Sequence, residues 1–312
     1  MVRREILLVI IPTIPAQTPL ARHDRACYAI VMDRTLLIAV LAMSLGMSLI
    51  PLGDTFGKSL MGLGVIPIFV AFARYAVGAA VLIPFTGVSG IKPLMFDWRI
   101  WFRSALQVGT IVAILTGLQT ETLANTFGAF FAGPLISYLL SAAFLGEKIT
   151  WPRTILLIIG FAGVLLVVKP GFAMTPGLGF AALAGVFYGA FLTASRWPSG
   201  VAKPKDLLMS QLITGAIMIA PFGLMHLPDF TPWIIFLIAG SGLSSMIGNL
   251  FIVMAYRRAP ASIMAPFVYV QLISAAILSF VVFGDIPDPI AATGLILIVV
   301  SGLATLAFSR SR

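Results

Sequence analysis

The sequence predicts an all-α integral membrane protein, ten transmembrane helices arranged as two inverted five-helix repeats. Three observations carry that expectation: apolar segments of spanning length, basic residues gathered in alternate loops, and a motif that closes a long segment in each half. Composition agrees. Of 312 residues, 60% are hydrophobic and 10% charged, whereas a water-soluble domain carries about a quarter charged residues.

In order, the segments are approximately 35–56, 65–86, 98–119, 123–145, 152–168, 177–195, 205–226, 232–255, 261–283 and 289–308. A helix needs ~17–25 apolar residues to cross a ~30 Å hydrocarbon core. Backbone groups in lipid must be satisfied within the segment, so a chain that does not close a barrel crosses as helices. The first segment ends near Asp54 and Lys58, the second holds Arg74, and the third Gln107. The fourth carries Phe131, Pro134 and Tyr138, the sixth Tyr188, the eighth Asn249, and the ninth Tyr269 with Gln271. The fifth and tenth bear glycines, Gly160 and Gly163 in one and Gly294 and Gly302 in the other, where close helix packing is expected.

Upstream of these segments, the apolar run from Ile6 to Ile11 is too short to span and is followed by Pro12 and Pro15. Arg3 and Arg4 precede it as in a signal peptide, yet the run falls short of a usual h-region. Cys27 follows Arg25-Ala26, a poor context for lipid attachment. Residues 1–33 are read as a disordered tail or a mis-assigned start, with Met32 as the true start, and stand outside the fold reasoning.

The charges set an orientation. All of the 20 Lys and Arg residues except Lys58, Arg74 and Lys169 fall on one side of the expected bilayer. They lie in the tail (Arg3, Arg4, Arg22, Arg25, Arg34), around the second loop (Lys92, Arg99, Arg103) and in the fourth (Lys148, Arg153). The sixth loop adds Arg196, Lys203 and Lys205, the eighth Arg257 and Arg258, and the C-terminus Arg310 and Arg312. The positive-inside rule puts these groups and both termini in the cytoplasm, in a bacterial inner membrane. The net charge of +9 is therefore an orientation signal, and no nucleic-acid partner is expected.

Residues 137–147 (SYLLSAAFLGE) parallel residues 275–285 (AAILSFVVFGD). Each run ends in Gly and an acid, Gly146-Glu147 and Gly284-Asp285, and each is followed by a proline, Pro152 and Pro287. An odd number of spans per repeat inverts the second, and loop charges obey this. Lys92, Arg99 and Arg103 oppose His226 and Asp229; Lys148 has no basic counterpart after Asp285; Glu121 opposes Arg257-Arg258; and Lys58 opposes Arg196, Lys203 and Lys205. Inverted repeats of this kind mark many secondary transporters, whose site lies near midplane between the repeats.

Ten spans, two five-helix units, Arg74 within Ala71-Phe72-Ala73-Arg74-Tyr75, and Gly146-Glu147-Lys148 after span four resemble the drug/metabolite transporter superfamily. The resemblance is to permeases with paired EamA domains and covers roughly 34–308. It implies a first five-helix repeat over 34–170 and a second over 171–312. The second half departs from the pattern in Asp285 for the usual Glu and in Gln271-Leu272 where the first half has Gly133-Pro134. Stretches 255–259 (AYRRA), 265–271 (APFVYVQ) and 283–287 (FGDIP) are similar to the branch of bacterial riboflavin and S-adenosylmethionine importers. Other members of the superfamily export amino acids or their analogues, since one scaffold hosts many cargoes.

Among charged residues, Asp54 and Lys58 are spaced i,i+4, one face of a helix. Arg74 lies inside a span, where an unpaired arginine costs roughly 2.5–3.5 kcal/mol on insertion scales. Two readings stand side by side. These groups line a cavity, with Arg74 orienting an anionic or carbonyl group of the cargo; or Asp54 and Arg74 form a structural pair while Lys58 snorkels to the outer surface. Residues 53–59 mimic a phosphate-binding loop, but three residues rather than four separate the glycines and an apolar span precedes them.

Phe127, Phe131, Pro134 and Tyr138 share one helical face of span four, and Ser262, Pro266, Tyr269 and Ile273 the matching face of span nine. Pro134 and Pro266 are expected to kink these helices near midplane and free carbonyls. Paired aromatic faces suit a planar ring, each contact adding about 0.5–1.5 kcal/mol beyond burial, which favours a flavin or purine-like cargo; packing between helices is the alternative. Gln107, Asn125, Tyr188, Asn249 and Gln271 either bond cargo or bond across helices at about 0.6 kcal/mol each. Tyr269 and Gln271 point to different faces, so at most one contacts cargo directly. The candidate substrate-binding set is Asp54, Arg74, Gln107, Phe131, Tyr138, Tyr188, Asn249, Tyr269 and Gln271.

His23, His226 and Cys27 are the chain's full histidine and cysteine complement, which leaves no metal-ligand cluster, catalytic Cys-His pair or disulfide. No cofactor and no enzymatic activity are expected, and no filter-like run suggests a channel. The expected function is secondary transport of a small metabolite by alternating access, with membrane lipid as surroundings. Riboflavin uptake ranks first, S-adenosylmethionine or a related heterocycle second, and amino-acid or drug efflux third. A membrane scaffold or lipid flippase is the non-transporter alternative. With Asp54 the sole acid clearly within a span, facilitated diffusion is favoured over obligatory proton coupling.

Overall fold

The structure, a computed structural model, describes residues 19–86, 90–146, 151–169, 174–195, 203–259 and 264–310. Among these residues every regular element is helical. The elements are α1 (Pro19–Gly62), α2 (Pro67–Thr86), α3 (Trp98–Leu118), α4 (Leu123–Phe130), α5 (Gly133–Leu145) and α6 (Trp151–Val168). They continue with α7 (Pro176–Ala194), α8 (Pro204–Leu224), α9 (Pro232–Tyr256), α10 (Val270–Phe283) and α11 (Pro289–Arg310). Short 3₁₀ turns occupy Pro93–Phe96 and Ala265–Tyr269.

Local sequence explains the starts. Pro67, Pro176, Pro204, Pro232 and Pro289 open their helices, where the missing N–H has no intrahelical partner to lose. Thr122, Thr175 and Thr231 cap α4, α7 and α9 by accepting from the N–H of Asn125, Leu178 and Ile234. Gly146 and Gly284 end α5 and α10 in the left-handed conformation, at φ 67° and 71°, which glycine adopts without a Cβ clash. The Gly-acid motif found in both halves is therefore a helix stop.

Seven helical stretches are long and apolar enough to cross a membrane: Arg34–Gly62, Pro67–Pro84, Trp98–Leu118, Leu123–Leu145, Pro176–Ala194, Lys205–Leu224 and Pro232–Tyr256. Thr154–Val168, Phe267–Phe283 and Pro289–Ala304 are shorter apolar helices among the described residues, at the positions of expected spans five, nine and ten. The chain is a multi-pass membrane protein. α1 begins at Pro19, so the backbone of 19–33 continues as helix into the first span.

On α1, Leu37, Leu41 and Leu45 are about half exposed while Ala39, Met43 and Met47 are buried, the division of a helix with one face to lipid and one to protein. The inner face meets Ala255 and Met264. Helix pairs approach at glycines. A Cβ on Gly46 would lie 2.7 Å from the Gly248 carbonyl, joining α1 to α9. Gly117 meets Gly177 at 2.9 Å between α3 and α7, and Gly163 meets Gly294 at 2.7 Å between α6 and α11. Small residues allow this backbone contact, and a side chain at any of the six would force the helices apart.

Two helices are broken where kinks were expected. Pro134 has no N–H and its ring excludes the carbonyl four residues earlier. α4 accordingly stops at Phe130 and α5 restarts at Gly133. In the second half a 3₁₀ turn holding Pro266 passes into α10 at Val270. The two breaks face each other, because α4 packs on α10.

Candidate functional site

α1, α2 and α9 converge on Arg74. Its Nη1 lies 2.6 Å from Asp54 Oδ1, its Nη2 donates to the Gly53 carbonyl at 2.6 Å, and its Nε donates to Ser241 Oγ at 2.8 Å. Ser241 also donates to the Gly53 carbonyl at 2.8 Å, closing the network. Every guanidinium nitrogen is engaged, as a buried arginine requires. Of the two readings of Asp54 and Arg74, this geometry is that of the structural pair.

Lys58 does not snorkel freely. Its Nζ donates to the Glu121 carbonyl at 2.6 Å, lies 3.7 Å from Asp285 Oδ2 and stands 4.9 Å from the Phe283 ring centre. Thr175 donates to the Glu121 carboxylate, and Lys169 contacts Asp288 at 2.5 Å. Asp288 is held below the usual carboxylate range, chiefly by the Lys169 hydrogen bond and then by the Ala291 N–H. These groups form one end of the bundle and link the chain's halves three times.

The opposite end is organised by Arg103, which sequence reasoning counted among loop-flanking charges. It lies within α3, is 8% exposed, and donates from Nε to Ser195 Oγ at 2.8 Å and from Nη1 to the Leu207 carbonyl at 3.5 Å. Its guanidinium stands 4.7 Å from the Phe191 ring centre. A signal was available: Arg103 follows Trp101-Phe102 and lies five residues inside the apolar segment that begins at 98.

An aromatic string starts there. Phe191 and Tyr188 stack at 6.0 Å, Tyr188 lies 4.8 Å from Phe130, Phe130 6.3 Å from Phe131, and Phe131 5.4 Å from Tyr269. It runs through both helix breaks. At its far end a small cleft of about 30 Å³ opens between α5, α6, α11 and the 3₁₀ turn, lined by Phe131, Pro134, Tyr269 and Ser301 among others. Tyr269 rests directly on Gly302, where a Cβ would fall inside its ring.

The structure thus brings Phe131, Tyr188 and Tyr269 together, and adds Phe130 and Phe191, which the helical-face argument had not selected. Tyr138 points elsewhere, its hydroxyl 3.0 Å from Thr154 Oγ1. Ile273, expected beside Tyr269, is 49% exposed, because the 3₁₀ turn shifts the register at Val270. Ser262 and Glu147-Lys148 lie outside the described residues, as does the side chain of Pro266. Gln107 Oε1 and Asn125 Oδ1 are buried without a hydrogen-bond partner among the described residues. Asn249 Nδ2 donates to the Ser245 carbonyl at 2.8 Å, and Gln271 is buried.

Residues 35–169 and 175–307 each match the model of the EamA-like transporter family. The S-adenosylmethionine uptake transporter of Rickettsia bellii is 27% identical over 241 residues, covering 74% of this chain and 80% of that protein. The riboflavin transporter of Vibrio cholerae is 24% identical over 247 residues, again covering 74% and 80%. A solved crystal structure shares the fold at a TM-score of 0.63 and 19% identity, over 89% of this chain and 98% of that one.

Proposed function

This chain belongs to the EamA-like transporter family, and we propose that it carries a planar heterocyclic metabolite across the bacterial cytoplasmic membrane by alternating access. The observation that carries the cargo class is the aromatic string at the two facing helix breaks. Phe130, Phe131, Tyr188 and Tyr269 gather ring surface at these breaks, and Phe131 and Tyr269 line a small cleft beside them. Discontinuous helices at matched positions of two halves are the usual pointer to a transporter's site. Riboflavin and S-adenosylmethionine, named for two relatives, are the first cargoes to test.

In this reading the chain comprises two inverted five-helix repeats, 34–170 and 171–312, and ten spans. The helix pairing supports it. α1 packs on α9 as α3 packs on α7, α2 on α8, and α6 on α11, so exchanging the halves reproduces the set of pairs. Rocking one repeat against the other exposes the site to each side in turn. Lys58–Asp285, Lys169–Asp288 and Glu121–Thr175 hold the extracytoplasmic end shut, with both termini in the cytoplasm.

Phe131, Tyr188 and Tyr269 are assigned to the ring of the cargo, and Gln107 and Asn249 to its polar edge; Gln271, on another face from Tyr269, is left to helix packing. Asp54–Arg74 fixes α1 to α2 and α9, and Tyr138 anchors α5 to α6. No chemistry is assigned to the chain beyond transport. The test is growth of a riboflavin auxotroph at micromolar riboflavin, with labelled S-adenosylmethionine uptake in parallel. Membrane-inserted protein that supports neither would remove the heterocycle assignment.

A further inference from the structure

We infer that Arg103 recognises an oxyanion of the cargo, so that the preferred heterocycle carries a carboxylate or phosphate at some distance from its ring. The inference rests on the transporter reading above and selects a substrate class within it. Its basis is a contrast between two buried arginines. Arg74 has an acid 2.6 Å away and an acceptor at each nitrogen. Arg103 is just as buried, at 8% against 7% exposed, yet the groups it touches are a hydroxyl, a carbonyl and the Phe191 ring, with the Tyr75 phenol nearby. Among the described residues no carboxylate pairs with it and Nη2 has no acceptor.

A guanidinium brings five N–H donors, and a buried charge without a counter-ion is strongly disfavoured. Snorkelling does not account for the arrangement, because a snorkelled arginine would leave its head exposed at the end of the protein. The neighbours are instead set to hold the fork still. Ser195 donates its own proton to the Phe191 carbonyl at 2.6 Å, which leaves its lone pair for Arg103 Nε. Phe191 covers the guanidinium face. What remains is the planar N–H edge that pairs with a carboxylate or phosphate.

Position supplies the second half of the argument. Phe191 stacks on Tyr188, and Tyr188 lies against Phe130 at the break between α4 and α5. A ligand whose ring rests on these aromatics and whose acid reaches Arg103 satisfies both features. S-adenosylmethionine has that form, with a purine at one end and a carboxylate at the other; riboflavin has the ring and no acid.

The test is uptake by purified full-length protein in liposomes, using labelled S-adenosylmethionine against its decarboxylated analogue and flavin mononucleotide against riboflavin. Wild type, Arg103→Gln and Arg103→Lys are compared. Wild type should take up the acid-bearing member of at least one pair faster, on the order of 10-fold. Arg103→Gln should erase that preference while still moving the acid-free member, and Arg103→Lys should keep part of it. If Arg103→Gln fails to reconstitute, Arg103→Lys carries the comparison, since a point charge without the fork should weaken the preference and spare uptake. A preference that is absent in wild type, or unchanged in the variants, overturns the inference. Uptake of the acid-bearing and acid-free members at equal rates by all three proteins does the same and leaves the heterocycle transporter intact. Uptake of none of the four compounds ends both.

Discussion

Arg74 and Asp54 meet at 2.6 Å with side chains 7% and 3% exposed, joining α2 to α1 inside the bundle. Removing one member leaves the other charged and unpaired in a water-poor interior. Asp54→Asn should therefore destabilise the protein by about 3–5 kcal/mol. Asp54→Asn with Arg74→Gln should cost less than the two single changes added together. Thermal unfolding of the detergent-purified variants measures both; additive losses would mean that the pair is not coupled.

Gly302 provides the floor on which Tyr269 lies. Gly302→Ala should push the ring away from Phe131 and cost about 1–3 kcal/mol by overpacking. Adding Tyr269→Ala should relieve the overpacking at the cost of the ring's own contacts, and should not recover transport. Recovery of uptake in the double variant would show that the tyrosine ring is not needed for cargo.

Lys58 ties the end of α1 to Asp285 beyond α10. In a Cys27→Ser background, Ile286→Cys should react with a membrane-impermeant maleimide on intact cells, and Arg258→Cys should react after lysis only. Ile286 is 74% exposed, so burial would not explain a failure to label. Lys58→Ala should raise labelling of positions nearer the site from the outside, because one link holding that end shut is gone. The reverse labelling pattern would invert the proposed orientation.

Asp288 gives a pH-dependent contribution with a defined sign. Its carboxyl titrates lower in the folded protein than the unperturbed 3.8, first through the Lys169 hydrogen bond. The stabilisation is therefore present above pH ~3.8 and is lost as pH falls through the lower folded value. It is small, because the group is 42% exposed and solvent screens the pair. The same carboxylate accepts from the N–H groups of Ile290 and Ala291 at the start of α11. Asp288→Asn should flatten the acid limb of the melting-temperature profile and leave the neutral limb almost unchanged.

Much of the architecture was legible in the chain itself. Segment length against bilayer thickness fixes helices, and lipid leaves the backbone no other open form. The Gly-acid repeats at Gly146 and Gly284 marked helix ends because a left-handed stop needs glycine. Phe131 and Tyr269 could be selected because helical spacing and the nearby prolines place aromatics at interruptions.

Periodicity within one segment says nothing about which segments meet, and here the tertiary structure decided. Arg74 faces Asp54 and Ser241, across 167 residues from the latter, so a charge that looked available for cargo is occupied. Arg103 looked like one more positive charge marking a cytoplasmic loop, and packing of α3 against α7 and α8 buries it without an acid. Phe130 became part of the site because the break at Pro134 rotates the chain off a single helical face, and Phe191 because α7 packs on α4 and α5. The sequence by itself determined that the chain crosses lipid as helices and marked the stops at Gly146 and Gly284, since those are local matters of hydrophobic length and backbone hydrogen bonding. Which polar groups inside the bundle are satisfied and which still have an unused hydrogen-bonding edge is a question of contacts between distant segments, and the packed fold alone answers it.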